Sequence, residues 1–318
     1  MVDIPEDIRT ILGELAGSAM LAYVTPIRTS YVGQDFDKHS GTGMLLTNQH
    51  RQTFCLTANH VVTPSSRSDR DSRIVVQHTY CENMGRADDA GRIFLGDDSP
   101  IPPLFRLKRK YFKSESCDLA MLGSCLNGYD LPGIGRTNYY PYSYVANAKF
   151  QEVFNEDVFA VCGFPDALTT PIPASKEVIH SPLLHLFTGS QGASHSSDIK
   201  RYTLDYANAN PSPHGLSGAP VWLLRETISP TTPLDTNRIR DCYKRGDPLN
   251  LTWWFAGIVV SHDQAAGRIQ AIRPEVCAEF ATKAEQSYQD LADPDEDKII
   301  QEQLEYWMER QGQKWHPA

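Results

Sequence analysis

The sequence has no apolar run near the roughly 18 residues that a membrane-spanning helix needs. Its longest candidates, such as Phe255 to Val260, are only strand-length. A soluble chain with no membrane partner is expected. Positive charge is also scarce: 30 Lys plus Arg against 39 Asp plus Glu leave a net charge of −9. That balance argues against a nucleic-acid partner held by bulk positive charge, because such binding needs clustered Lys and Arg to release phosphate counterions. Cysteine is sparse too: there are seven, an odd number, with no CxxC spacing. They read as reduced thiols rather than a disulfide framework. The opening MVDIPEDIRT is acidic where a secretory leader would be basic, and no apolar stretch follows that avoids Glu14. The expected location is therefore cytoplasmic. No internal repeat stands out.

What is present is ordinary globular material. The 318 residues are 41% apolar and 22% charged, long enough to bury a core without disulfide or metal staples. Residues 1–16 carry Ile8, Ile11, Leu12 and Leu15 behind Pro5, Glu6 and Asp7, the pattern of a short amphipathic helix. From there to about residue 273 the chain alternates short Val, Ile, Tyr, Phe and Thr-rich runs with Gly, Pro, Asn and Asp clusters. Strands are expected at Ala19 to Thr25, Thr42 to Thr47, Phe54 to Thr57, Arg73 to His78, Leu119 to Leu122, Val158 to Cys162, Arg201 to Tyr206, Ala219 to Leu224, Trp253 to Val260 and Ile269 to Ile272. Many short strands between turn signals predict an all-β sandwich or barrel.

Pro64 to Ser72 reads as a polar loop, Asn127 to Tyr142 as a connector between two halves, and Ser229 to Pro248 as a long surface insertion. After Arg273 the period turns helical. Val276, Phe280, Ala284 and Tyr288 recur every four residues, and Ile300, Leu304 and Trp307 follow an acidic break. These C-terminal helices either dock on the body of the protein or offer an apolar stripe to a regulatory protein partner.

Three strings carry chemistry. Gly215-Leu216-Ser217-Gly218-Ala219-Pro220 places a serine between glycines, before the strand-like Val221-Trp222. A serine hydroxyl is a poor nucleophile at neutral pH, so hydrolysis needs a base beside it and backbone amides aimed at the developing oxyanion. The same string is also compatible with a plain turn. Thr57-Ala58-Asn59-His60 sets a histidine just after a strand, and Asp118 precedes the apolar run Leu119-Ala120-Met121-Leu122. Such an aspartate, buried against an imidazole, holds its tautomer. His180, His185 and His195 have neither helix-face nor zinc-loop spacing, so no metal site is expected.

Together the three strings resemble the chymotrypsin-like (trypsin-like) serine proteases. That family shows TAxH, DxAxL and GxSGxP in this chain order, whereas an α/β-hydrolase runs Ser, Asp, His. The resemblance covers about residues 17 to 273. It also takes in Cys162-Gly163-Phe164-Pro165 and the strand Phe255 to Ser261. It implies two six-stranded β-barrels with the site between them: residues 17–135 carrying His60 and Asp118, and 136–273 carrying Ser217, with a helical extension over 274–318. His60 is implied as general base and acid, Asp118 as its orienting partner, and Ser217 as nucleophile. The amides of Gly215 and Ser217 form the implied oxyanion hole, with no cofactor and no metal.

The chain also departs from the family. Val61 stands where secreted members carry cysteine, and Leu216 where they carry an aspartate that pairs with a freed N-terminus. Activation by such cleavage is not expected. These departures bring the chain closer to the bacterial, HtrA-like branch, although no PDZ-like module follows residue 273. By the same resemblance the substrate pocket has its base near Pro211 and its walls near Val260, Ser261, His262 and Gly267, with His214 at the rim. No carboxylate stands at Pro211, so a small or apolar side chain is expected there rather than Lys or Arg. The function implied is that of a serine endopeptidase acting on a protein or peptide. The alternative is a catalytically silent or partner-activated module of the same fold that binds a peptide or protein.

Overall fold

A computed structural model describes residues 4–30, 38–50, 53–63, 73–76, 93–96, 105–107, 111–124, 139–149, 156–172, 177–180, 183–188, 194–195, 200–205, 212–227, 231–263 and 266–287. The loop expected at Pro64 to Ser72, Cys81, Cys125, Pro211 and the helix expected around Leu304 lie outside them.

Two antiparallel sheets dominate the chain. The first contains β1 (Val24–Ser30), β2 (Lys38–Thr47), β3 (Thr53–Ala58), β4 (Arg73–Val76), β6 (Phe105–Leu107), β7 (Phe112–Ser114) and β8 (Leu119–Ser124), in the order β6-β4-β1-β2-β3-β8-β7. A short β9 (Tyr140–Pro141) runs parallel to β2. The second contains β10 (Val158–Gly163), β13 (Leu183–Thr188), β14 (Ser194–His195), β15 (Arg201–Asp205), β16 (Pro220–Glu226), β17 (Leu251–Asp263) and β18 (Arg268–Ile272), in the order β13-β10-β16-β17-β18-β15-β14. A third, three-stranded sheet joins β5 (Ile93–Gly96) to β12 (Glu177–His180) and β11 (Thr169–Ile172). The all-β, two-unit architecture expected from the sequence is what the chain adopts. Among the described residues no strand pairing closes either large sheet, and neither has the six strands the resemblance implied.

The central strands β10 and β16 of the second sheet are buried on both faces, which is why they read as continuous apolar runs. Along β16, Val221 and Leu223 enter one core with Phe159, Val161 and Val259, while Trp222 and Leu224 enter the other with Phe54, Tyr140 and Phe255. That is the two-residue period of a strand. A bulge in β17 sets Trp222 opposite Phe255 and Val221 opposite Gly257, leaving Ala256 as the extra residue. The larger core gathers side chains from both sheets and from the N-terminal helix. Arg225 and Asp157, 2% and 0% exposed, form a buried two-pronged ion pair at 3.1 and 2.7 Å.

The helices differ from expectation in two places. The N-terminal helical segment, expected over 1–16, comprises α1 (Glu6–Leu12), a π-helical turn Gly13–Gly17 and α2 (Ser18–Leu21), so the first strand starts at Val24 rather than Ala19. Met20 is fully buried, and a short apolar run of this kind suits either element. After α3 (Asn59–Val62) and α4 (Tyr142–Ala146), the segment read as a surface insertion contains α5 (Thr236–Arg245). The Asp235 carboxylate accepts the amides of Asn237 and Arg238 at its start, and Gly246 ends it at a φ of 69°. The helix expected after Arg273 is α6 (Pro274–Gln286). It docks through Cys277, Phe280, Ala281 and Ala284, and the Tyr142 hydroxyl donates to the Ala281 carbonyl.

Among the described residues no helix is long and apolar enough to cross a membrane. Nor do three or more His, Cys, Asp or Glu side chains there gather as a metal ion would need. Cys55, Cys117, Cys162, Cys242 and Cys277 are free thiols.

Candidate active site

β3 and β8 pair antiparallel with Ala58 opposite Leu119, so the last residue of β3 lies beside the first of β8. His60 follows one end in the single turn α3, and Asp118 precedes the other. The backbone joins them first, Asn59 N–H donating to the Asp118 carbonyl at 3.0 Å. The Asp118 carboxylate then grips His60 twice: Oδ1 accepts the His60 amide at 3.1 Å and Oδ2 accepts Nδ1–H at 2.8 Å. With Nδ1 so occupied, the lone pair of the imidazole is left at Nε2. Asp118 has a φ of 53°, and among the described residues it is the one non-glycine in the left-handed region. A short polar side chain tolerates that conformation, and here it aims the carboxylate at His60. Asp118 was expected to be buried, but its side chain is 23% exposed and that of His60 49%.

Ser217 sits on a turn between residue 212 and β16 whose carbonyls are tied inward one by one. The His214 carbonyl accepts from Asp166 N–H at 2.8 Å, Gly215 from the Thr42 hydroxyl at 3.0 Å, Leu216 from Ala219 N–H at 2.9 Å and Ser217 from Thr42 N–H at 2.8 Å. Across a planar trans peptide the carbonyl and the following N–H point opposite ways. The His214 and Leu216 bonds therefore turn the Gly215 and Ser217 amides out of the turn. Among the described residues neither amide has a hydrogen-bond partner. Gly215 and Gly218 have φ of 88° and 87°, and a Cβ on Gly218 would strike the Thr42 carbonyl and the Thr57 hydroxyl. Leu216 is fully buried in the second core beside Val161 and Ala219, so the turn is anchored by an apolar side chain rather than an ion pair.

Thr42, in the middle of β2, was not singled out from the sequence. Fully buried, it donates its amide to Ser217 and its hydroxyl to Gly215, and its Oγ1 accepts Phe164 N–H at 2.9 Å. Its carbonyl accepts the Thr57 hydroxyl at 2.7 Å. The serine turn is thereby latched to the sheet that carries His60. A Cβ on Gly41 would lie 2.7 Å from both the Ser217 carbonyl and a methyl of Val61, the neighbour of His60. The run Gly41-Thr42-Gly43 was the available signal, since flanking glycines permit close backbone approach. Asp166, whose amide holds the His214 carbonyl, was also missed.

The residues expected to line a substrate pocket separate into three groups. Val260 is 1% exposed and packs into the larger core, so its side chain lines no open pocket. The Ser261 hydroxyl donates to Gln270 at 3.0 Å, and Gly267 forms the turn into β18 at a φ of 59°. His214 and His262 come together, their ring centroids 4.3 Å apart and their planes at 73°. Burial, then the neighbouring His214 ring, holds His262 below the ordinary histidine range, while Asp263 opposes the shift.

No family model and no curated protein matches the chain. Among solved structures it is similar to the serine endoprotease from Yersinia pestis, at 15% identity over 91% of this chain and 69% of that one, with a TM-score of 0.43. It is also similar to catalytically active tobacco etch virus protease in complex with product, at 11% identity over 90% and 83% with a TM-score of 0.41. A third is a protease from M. tuberculosis in its active form, at 13% identity over 86% of each chain with a TM-score of 0.39. At such identities and TM-scores these likenesses carry no argument, and the site stands on its own geometry.

Proposed function

We propose that the chain is a serine endopeptidase of the chymotrypsin-like kind. Ser217 Oγ gives its proton to His60 Nε2 and attacks the scissile carbonyl carbon. The oxyanion accepts the Gly215 and Ser217 amides. His60 then protonates the departing amine, leaving an acyl group on Ser217, and water enters by the same steps in reverse. Asp118 keeps its charge throughout and stabilises the imidazolium.

The observation that carries this reading is the double grip of Asp118 on His60, on the amide and on Nδ1, which fixes the ring with Nε2 as the base. A module that only binds peptides gains nothing from that arrangement. The buried Leu216 and the latched turn support a site that needs neither N-terminal cleavage nor an activating partner. Val61 and Leu216 set the chain apart from secreted, trypsin-like members, and a site in the cytoplasm is consistent with its free thiols.

The test is an acyl-enzyme burst. With excess p-nitrophenyl acetate and an acid quench, the protein should gain one acetyl group, mapped to Ser217, with a matching burst of nitrophenolate. Ser217→Ala should show neither. A folded wild-type protein without a burst overturns the reading.

A further inference from the structure

We propose that Thr63 is a positioning residue for the reaction at Ser217. Its hydroxyl and amide hold the peptide plane between Asn59 and His60, and through that plane they hold the Asp118 carboxylate against His60. The inference rests on the endopeptidase reading and adds a residue to it.

His60 stands on α3, a single turn, and one turn of helix does not persist on its own bonds. At its start Ala58 gives no side-chain cap. At its end Thr63 donates twice to the Asn59 carbonyl, from its amide at 3.0 Å and from its hydroxyl at 2.8 Å. A carbonyl oxygen has two lone pairs and takes both donors. The hydroxyl also lies 3.1 Å from Asn59 Oδ1, so its one proton is shared between the two oxygens of Asn59. The Tyr111 hydroxyl, 3.5 Å from Thr63 Oγ1, is at the outer limit of a hydrogen bond.

The Asn59 carbonyl and the His60 amide belong to one planar peptide unit and point opposite ways. Thr63 pulls on one end of that unit. The other end is the His60 N–H, which donates to Asp118 Oδ1 at 3.1 Å. The preceding amide, that of Asn59, donates to the Asp118 carbonyl at 3.0 Å. Fixing the plane therefore fixes the direction from which Asp118 is gripped, and with it the second carboxylate oxygen at His60 Nδ1. Bonds strung through one peptide unit also polarise one another, so the Thr63 donors make the His60 amide a better donor. Val61 and Val62, 4% and 2% exposed, anchor the turn in the core. Apolar contact is non-directional, however, and does not set the tilt of a peptide plane.

Thr63→Val replaces the hydroxyl by a methyl of nearly the same size, and Thr63→Ser keeps it. Thr63 is exposed, so water reaches the Asn59 carbonyl once the hydroxyl is gone and the loss is partial. In inactivation by a fluorophosphonate, Thr63→Val should lower the limiting rate about tenfold with the half-saturating concentration unchanged, and Thr63→Ser should restore it. The proton NMR signal of His60 Nδ1–H reads the positioning without any reaction. Its exchange with water should be faster in Thr63→Val by a similar factor, and as in wild type in Thr63→Ser. Should Thr63→Val not fold, Asn59→Ala removes the Oδ1 arm alone, and a loss of about two- to threefold in the limiting rate is expected there. A Thr63→Val protein that either reacts or exchanges at the wild-type rate overturns the proposal, as does a Thr63→Ser protein as slow as Thr63→Val. A wild-type protein that takes up no probe sinks the endopeptidase reading instead, and the Nδ1–H exchange then decides the role of Thr63 by itself.

Discussion

Asp118 is where backbone conformation and chemistry meet in a single residue. Asn adopts the same left-handed conformation, so Asp118→Asn should fold with little change in melting temperature. An amide offers Nδ1 no charge and allows the wrong tautomer, so kcat should fall about 10³- to 10⁴-fold. Stopped-flow acylation alongside a thermal melt checks both halves. His185 makes a second prediction at this scale. Its ring lies against Phe187, and burial, with Arg9 adding to it, holds its pKa down to about 4. Since the unfolded chain takes up that proton near pH 6.5, the contribution is full above 6.5 and lost as pH falls toward 4. Discounted for its partial exposure, the loss is about 2 kcal/mol. Denaturant midpoints from pH 7 to 4 should drop more steeply for wild type than for His185→Gln.

At the scale of elements, the latch between β2 and the serine turn holds the conformation that leaves the Gly215 and Ser217 amides without partners among the described residues. Thr42→Val removes a donor from Gly215 and an acceptor from the buried Phe164 amide, at a cost of about 1–3 kcal/mol. Acylation should fall 10- to 100-fold, and Thr42→Ser should restore most of it. Melting curves and burst rates of the two variants make the comparison. This latch also shows which parts of the site the sequence discloses. His60, Asp118 and Ser217 each sit in a short string whose chemistry is local. The Thr42 bonds span 173 and 122 residues, and no contiguous string records them. Long buried strands such as β16 were legible because both faces are apolar. The helix α5 was not, since only Ile239 and Cys242 of it are buried, and strands as short as β14 carry too few residues for a period to show.

Across the whole molecule, the two sheets share the larger of the two cores, and that sharing has a thermodynamic consequence. Phe54 and Leu122 of the first sheet pack in the same cluster as Trp222 and Ile258 of the second, together with Ile8 and Leu12 of α1. The halves should therefore unfold in one cooperative transition, with calorimetric and van't Hoff enthalpies in agreement. Two resolved transitions would show that the shared core does not couple them. Gly41 lies against both the Ser217 carbonyl and Val61, the neighbour of His60, and the account turns on Ser217 and His60 acting as a unit. Labelling by a fluorophosphonate probe tests that claim most directly, because it reports activation of the serine whatever the substrate. Rapid labelling of wild type, none of Ser217→Ala and little of His60→Ala is the predicted result. A folded wild-type protein that takes up no probe, or a His60→Ala protein that labels at the wild-type rate, would contradict it.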